Sequence, residues 1–313
     1  MLAAQARALL AAAYRAGLPR LHEMGLGEAR HSFTKLLLGY QPRSLAPAVT
    51  TELKLPRPPR SGGALKARLY RPPDAISALP VVLFFHGGGW TLGSLDGYDS
   101  FCRALAEAGS AAVLAVDYRL APEYPFPAAV DDALFALDWV AAHGADLALD
   151  PARIAVAGDS AGGNLAAVAA LSARDAGWPA LRAQLLIYPV ASQNPGGASF
   201  ADFGDGFLLD ADTLAWFQAN YLPAGQDRLD WRASPADALF LGNLPSTRIV
   251  LAQCDPLHDD GLAFAQALRD AGVDVAVDDV SDTIHGFITM GRIFPQADAV
   301  IARAGRALRE VLG

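Results

Sequence analysis

The rhythm of apolar and polar positions changes twice along the chain. In the first stretch Leu2, Leu9, Leu10, Ala13 and Tyr14 recur at helical spacing, which predicts an amphipathic helix over residues 2–16 and a second over 28–38. Residues 50–55 and 64–70 then alternate apolar with polar, predicting two antiparallel-type strands split by the Pro/Gly-rich breaker cluster at 56–63. From Pro80 onward the pattern becomes short, continuous apolar runs at 81–85, 111–116, 153–157, 183–187, 248–252 and 273–277. Runs without alternation are what strands buried on both faces produce. Helical patterns separate them at 100–108, 128–142, 161–176 and 261–271, and a last one at 297–312 closes the chain. Strand alternating with helix predicts an α/β fold: a mostly parallel eight-stranded sheet covered by helices on both faces.

One stretch breaks that alternation. Between Pro189 and Ser246 there is loop chemistry (Asn194-Pro195-Gly196-Gly197), a helical pattern at 211–221 and no strong strand. An insertion of this size in an α/β sheet is expected to overlie an active site. Pairing it with the N-terminal helices gives a helical cap in two parts, 1–45 and 191–245, and a core in two parts, 46–190 and 246–313.

Composition narrows the function. The 313 residues are 52% hydrophobic and 19% charged, enough apolar material for a large core. The formal net charge is −8, which argues against nucleic acid and anionic membrane surfaces as partners. No apolar run approaches the roughly 18 residues of a spanning helix. Arg7 and Arg15 interrupt the N-terminal apolar stretch and no basic segment precedes it, so no secretory signal is expected. Two cysteines are too few for a disulfide framework and suit a cytoplasmic location. Six histidines occur without an HExxH or CxxC pattern, so neither a metal nor another cofactor is expected.

Two glycine-rich segments carry chemistry. Gly158-Asp159-Ser160-Ala161-Gly162 has the form G-x-S-x-G and stands between a predicted strand and a predicted helix. A turn that sharp strains its central residue and leaves the serine hydroxyl exposed above the sheet, with the positive end of the helix aimed at it. His86-Gly87-Gly88-Gly89-Trp90 follows the strand at 81–85. Consecutive glycines let backbone amides converge on an oxyanion, and His86 reads as a residue that holds the loop. Neither segment fits G-x-G-x-x-G or GxxxxGK[ST], which excludes the usual nucleotide loops.

An active serine needs a base, and the base needs an orienting carboxylate. On a doubly wound sheet both come from carboxyl ends of strands. Asp255 follows the run at 248–252, and His285 lies five residues beyond Val280. Serine, acid, histidine is the chain order this architecture uses. Alternatives remain at this point. Asp259 and Asp260 begin a helix and read as capping charges, Asp282 lies near His285, and His258 shares a loop with Asp255.

The segments HGGGW at 86–90, DYRLAPEYPFPAA at 117–129, GDSAGGN at 158–164, LLIYP at 185–189, DPLHDDG at 255–261 and HGF at 285–287 together resemble the hormone-sensitive-lipase-like carboxylesterases of the α/β-hydrolase fold. The resemblance implies a nucleophile at Ser160, an acid at Asp255, a base at His285 and oxyanion-hole amides at Gly88, Gly89 and Ala161. It implies a small-molecule ester as substrate and a homodimer as a common assembly. Asp117, Glu123 and Asp159 read as supports of the site. Trp90, Tyr188, Leu209 and Phe217 are candidates to line the substrate pocket, which would suit short to medium acyl chains of roughly up to eight carbons. Receptors on the same fold lack the histidine that this chain keeps, whereas an amidase or lactonase would use the same groups.

Overall fold

The computed structural model describes residues 2–42, 45–57, 63–73, 77–223, 228 and 230–313. Most of the breaker cluster expected at 56–63 therefore lies outside the described residues. Eight strands form one sheet: β1 (Val49–Leu55), β2 (Leu65–Arg71), β3 (Leu79–Phe85), β4 (Ala112–Asp117), β5 (Leu149–Asp159), β6 (Leu181–Ile187), β7 (Ser246–Cys254) and β8 (Val275–Ile284). Their spatial order is β1-β2-β4-β3-β5-β6-β7-β8. β1 pairs with β2 and β2 with β4 antiparallel, and every later pairing is parallel.

The continuous apolar runs divide their side chains between two faces, as a period of two requires. Val81, Leu83 and Phe85 of β3 face one layer, with Val130 and Leu137 of α4 (Ala128–His143), Leu165 of α5 (Ala161–Ala176) and Phe264 of α8 (His258–Asp270). Val82 and Phe84 face the other, with Phe101 and Leu105 of α3 (Asp99–Gly109) and Ile301 and Leu308 of α9 (Pro295–Leu312). Each such side chain removed from water contributes about 2 kcal/mol, so the two faces together fix the sheet that carries the site.

Four more α-helices lie among the described residues: α1 (Ala4–Arg15), α2 (Leu26–Tyr40), α6 (Gly197–Phe203) and α7 (Ala211–Tyr221). The N-terminal segment meets the insertion at its polar atoms. His22 Nδ1 lies 2.9 Å from Thr213 Oγ1, and Arg20 reaches Asp205 at 2.8 Å and Asp210 at 3.5 Å. Arg30 of α2 forks onto Glu123 and donates to the carbonyls of Thr91 and Ala121. α6 is fastened to α8 by reciprocal bonds, Ser199 N–H to Asp259 Oδ2 at 2.9 Å and Asp259 N–H to Ser199 Oγ at 3.0 Å.

The last strand departs from its sequence expectation. It begins at Val275 and continues to Ile284, because Asp278, Asp279 and Asp282 are tolerated on an outer strand whose partners lie on one side only. His285 thus follows the strand directly. No helix is long and apolar enough to cross a membrane among the described residues.

Candidate active site

Ser160 occupies the turn between β5 and α5 with φ 54° and ψ −119°, backbone that a side-chain-bearing residue adopts only under constraint. Two glycines make the turn passable. A Cβ at Gly158 would lie 2.2 Å from the Gly162 carbonyl oxygen, and one at Gly162 would lie 1.9 Å from the Phe85 carbonyl oxygen. Neighbouring strands pin the turn: Ser160 N–H donates to Ile187 O at 2.8 Å, and Ser160 O accepts from Asn164 N and Val190 N. The hydroxyl is left at the first turn of α5, where unpaired amides give positive potential.

His285 brings its Nε2 to 2.9 Å from Ser160 Oγ, and its Nδ1 lies 2.6 Å from Asp255 Oδ2. Asp255 follows β7 and is fully buried; its other oxygen accepts the Leu257 amide at 2.9 Å. The rival groups are engaged elsewhere. His258 points to Asp279 at 3.1 Å, Asp259 holds α6, and burial pushes the Asp260 carboxyl up to about 6. The Asp282 carbonyl accepts the Ala3 amide, and the His285 nitrogen that an acid would hold is taken by Asp255.

Gly88 and Gly89 line the same cavity as Ser160 and His285. Both have positive φ, 112° and 59°, and Gly88 O accepts from Thr91 N and Leu92 N, which turns the loop back on itself. Behind this loop Gly87 N–H donates to Asp159 Oδ1 at 2.7 Å, and Tyr98 O–H donates to Asp159 Oδ2 at 3.0 Å. His86 lies between Tyr98 and Tyr118 with its Nδ1 2.8 Å from Gly87 O, and Tyr118 O–H donates to His86 O. Burial pushes Asp159 up to about 6 and holds the His86 imidazole below its ordinary value.

The cavity measures about 880 Å³ with its mouth included, and its walls are mainly apolar. Trp90, Leu209 and Phe217 line it, as the sequence suggests. Tyr188 does not. Its ring is buried at 4.6 Å from the His285 ring and 5.9 Å from Phe287, behind the imidazole and not in the cavity wall. Tyr188 stands just past β6 with a positive φ of 33°. Sequence reasoning misses Phe33 and Leu37 of α2 and Met290, which also line the cavity, and misses Tyr98 altogether. Their apolar or aromatic character gives no signal that separates them from core.

A family model for the alpha/beta hydrolase fold matches residues 82–289. The chain belongs to that family. It is 43% identical over 252 residues to carboxylesterase NlhH of Mycobacterium tuberculosis, covering 79% of each chain. It is 38% identical over 297 residues to an ethyl acetate hydrolase of Pseudomonas putida, covering 93% of this chain and 92% of that one. Against the crystal structure of a thermostable esterase from Pseudomonas putida ECU1011 the TM-score is 0.95 at 34% identity, over 100% of this chain and 98% of the other. The α/β-hydrolase fold and the resemblance to its carboxylesterase branch both hold on these grounds.

Proposed function

We propose that this member of the α/β-hydrolase family is a carboxylic ester hydrolase that works by acyl transfer through Ser160. The observation that carries the reading is the unbroken row from Asp255 through His285 to Ser160, opening on the cavity that Gly88 and Gly89 line. His285 Nε2 accepts the hydroxyl proton as Ser160 Oγ attacks the ester carbonyl, and Asp255 orients the imidazole and stabilises its charged form. The amides of Gly88, Gly89 and Ala161 receive the oxyanion; losing one such donor lowers turnover by roughly 10²–10³ in other serine hydrolases. The imidazolium then protonates the departing alcohol. Water, deprotonated by the same nitrogen, cleaves the acyl-enzyme and releases the acid.

The substrate follows from the walls. Trp90, Leu209, Leu214 and Phe217 supply apolar surface, and among the described residues no lysine or arginine lines the cavity. Neutral esters with short to medium acyl chains, roughly up to eight carbons, fit such a space on the burial of successive methylenes. The N-terminal helices with the 191–245 insertion act as the cap over it. The same reading carries a cytoplasmic location, supported by two unpaired cysteines, and a homodimer, supported by family resemblance alone.

Ser160→Ala and His285→Ala are each expected to lower kcat on p-nitrophenyl butyrate by at least about 10⁴-fold with circular dichroism unchanged. A fluorophosphonate should label Ser160 in the wild type. Near-normal turnover by folded Ser160→Ala protein overturns the assignment.

A further inference from the structure

The strand that ends in the elbow also reaches across to the glycine loop. Asp159 immediately precedes Ser160, is 3% exposed, and uses both carboxylate oxygens as acceptors: Oδ1 for Gly87 N–H at 2.7 Å and Oδ2 for Tyr98 O–H at 3.0 Å. Gly87 N–H also approaches the Tyr98 oxygen at 3.1 Å, closing a three-membered ring of hydrogen bonds. Gly87 cannot shift toward this ring or carry a side chain, since a Cβ there would sit 2.5 Å from Asp159 Oδ2. The next two residues are Gly88 and Gly89. One side chain therefore ties the residue before the serine to the residue before the two loop glycines.

We propose that Asp159, locked by Tyr98, is a positioning residue that in its anionic form holds the oxyanion loop in register with Ser160. The proposal rests on the reading of Ser160 as nucleophile. An anion suits the ring because both oxygens accept; a proton on either would compete with a donor already in place. The anion is kept there against its burial, which pushes the carboxyl up to about 6. The titratable groups that face it are Tyr98 and Cys102 on the α3 side, Tyr118 after β4, Tyr188 after β6 and His285 after β8. Burial holds the three phenols and the thiol well above their ordinary values, so they stay neutral. His285 is the group among them that can carry positive charge, and that charge draws the Asp159 carboxyl down against its burial.

Asp159→Asn keeps an acceptor for Gly87 and replaces the charge. It is expected to lower kcat about tenfold, to leave KM within twofold, and to move the acid limb of kcat/KM to lower pH, because the titrating carboxyl is gone. Tyr98→Phe removes one hydroxyl from a packed ring and should lower kcat several-fold at unchanged KM. In the double variant the two losses should not multiply, since either change opens the same ring. Wild-type kcat in either variant overturns the proposal, as do kcat and KM changing together, or losses that multiply in the double variant with an unmoved acid limb. Should Asp159→Asn fail to fold, the kcat and KM of Tyr98→Phe decide alone. Fluorophosphonate labelling separates the two readings: unlabelled Ser160 in the wild type defeats the nucleophile assignment, whereas normal labelling with unaltered variants defeats only the role of Asp159.

Discussion

Because burial pushes Asp159 up to about 6 from an ordinary 3.8, the folded protein binds a proton there more readily than the unfolded chain over that interval. Stability drawn from this group is complete below pH 3.8 and is lost as pH rises through about 6. At pH 7.5 the charge thus opposes folding, and Asp159→Asn is expected to melt no lower than the wild type by scanning calorimetry. The difference should shrink as pH falls toward 4, where the wild-type carboxyl is neutral. A variant that melts well below the wild type at pH 7.5 would contradict this. Some residues of the site are legible in sequence because their surroundings are local: Ser160 stands in a five-residue pattern, and Gly88 and Gly89 stand in another. Asp255 and His285 are legible through chain order and strand ends. Tyr98 is not, since its partner lies 61 residues away and a tyrosine before a helix has no pattern of its own. Tyr188 misleads because a strand end does not reveal which way the next side chain turns.

Among the elements, the contact between the glycine loop and α7 offers the sharpest test. A Cβ on Gly89 would lie 2.1 Å from Phe217 Cγ, and the φ of 59° at Gly89 already disfavours any side chain. Gly89→Ala is expected to lower kcat at least tenfold, up to the roughly 10²–10³ of a lost oxyanion donor. Pairing it with Phe217→Ala should restore part of that loss, leaving the backbone strain as the remainder. A double variant no faster than Gly89→Ala would show that the ring is not what the methyl meets. The buried strands were the most readable elements, since their apolar runs are continuous, and α5 spans Ala161–Ala176, the bounds that its pattern predicts. Ends with polar residues were the least readable. β5 starts at Leu149, ahead of the Asp150-Pro151 pair that breaks its pattern, and α8 starts at His258, whose first turn carries Asp259 and Asp260. α6 has seven residues, too few for a helical period to register.

For the molecule as a whole, two glycine-rich turns, two strand-end loops and the apolar faces of α2 and α7 meet over one end of the sheet. Each methylene that finds a wall contributes about 0.8 kcal/mol, and one that projects past the mouth contributes little. Across p-nitrophenyl esters from two to sixteen carbons, kcat/KM is expected to peak at or below eight and to fall steeply by twelve. A maximum at sixteen carbons would overturn the pocket assignment. The absence of lysine and arginine from the described lining has a consequence for what happens after chemistry. Hydrolysis converts a neutral guest into a carboxylate that is ionised at neutral pH. That carboxylate is left among mainly apolar walls, beside the buried Asp159 carboxylate and with no lysine or arginine of the described lining to retain it. The enzyme is thereby built to eject its acid, and accumulating product should slow it little.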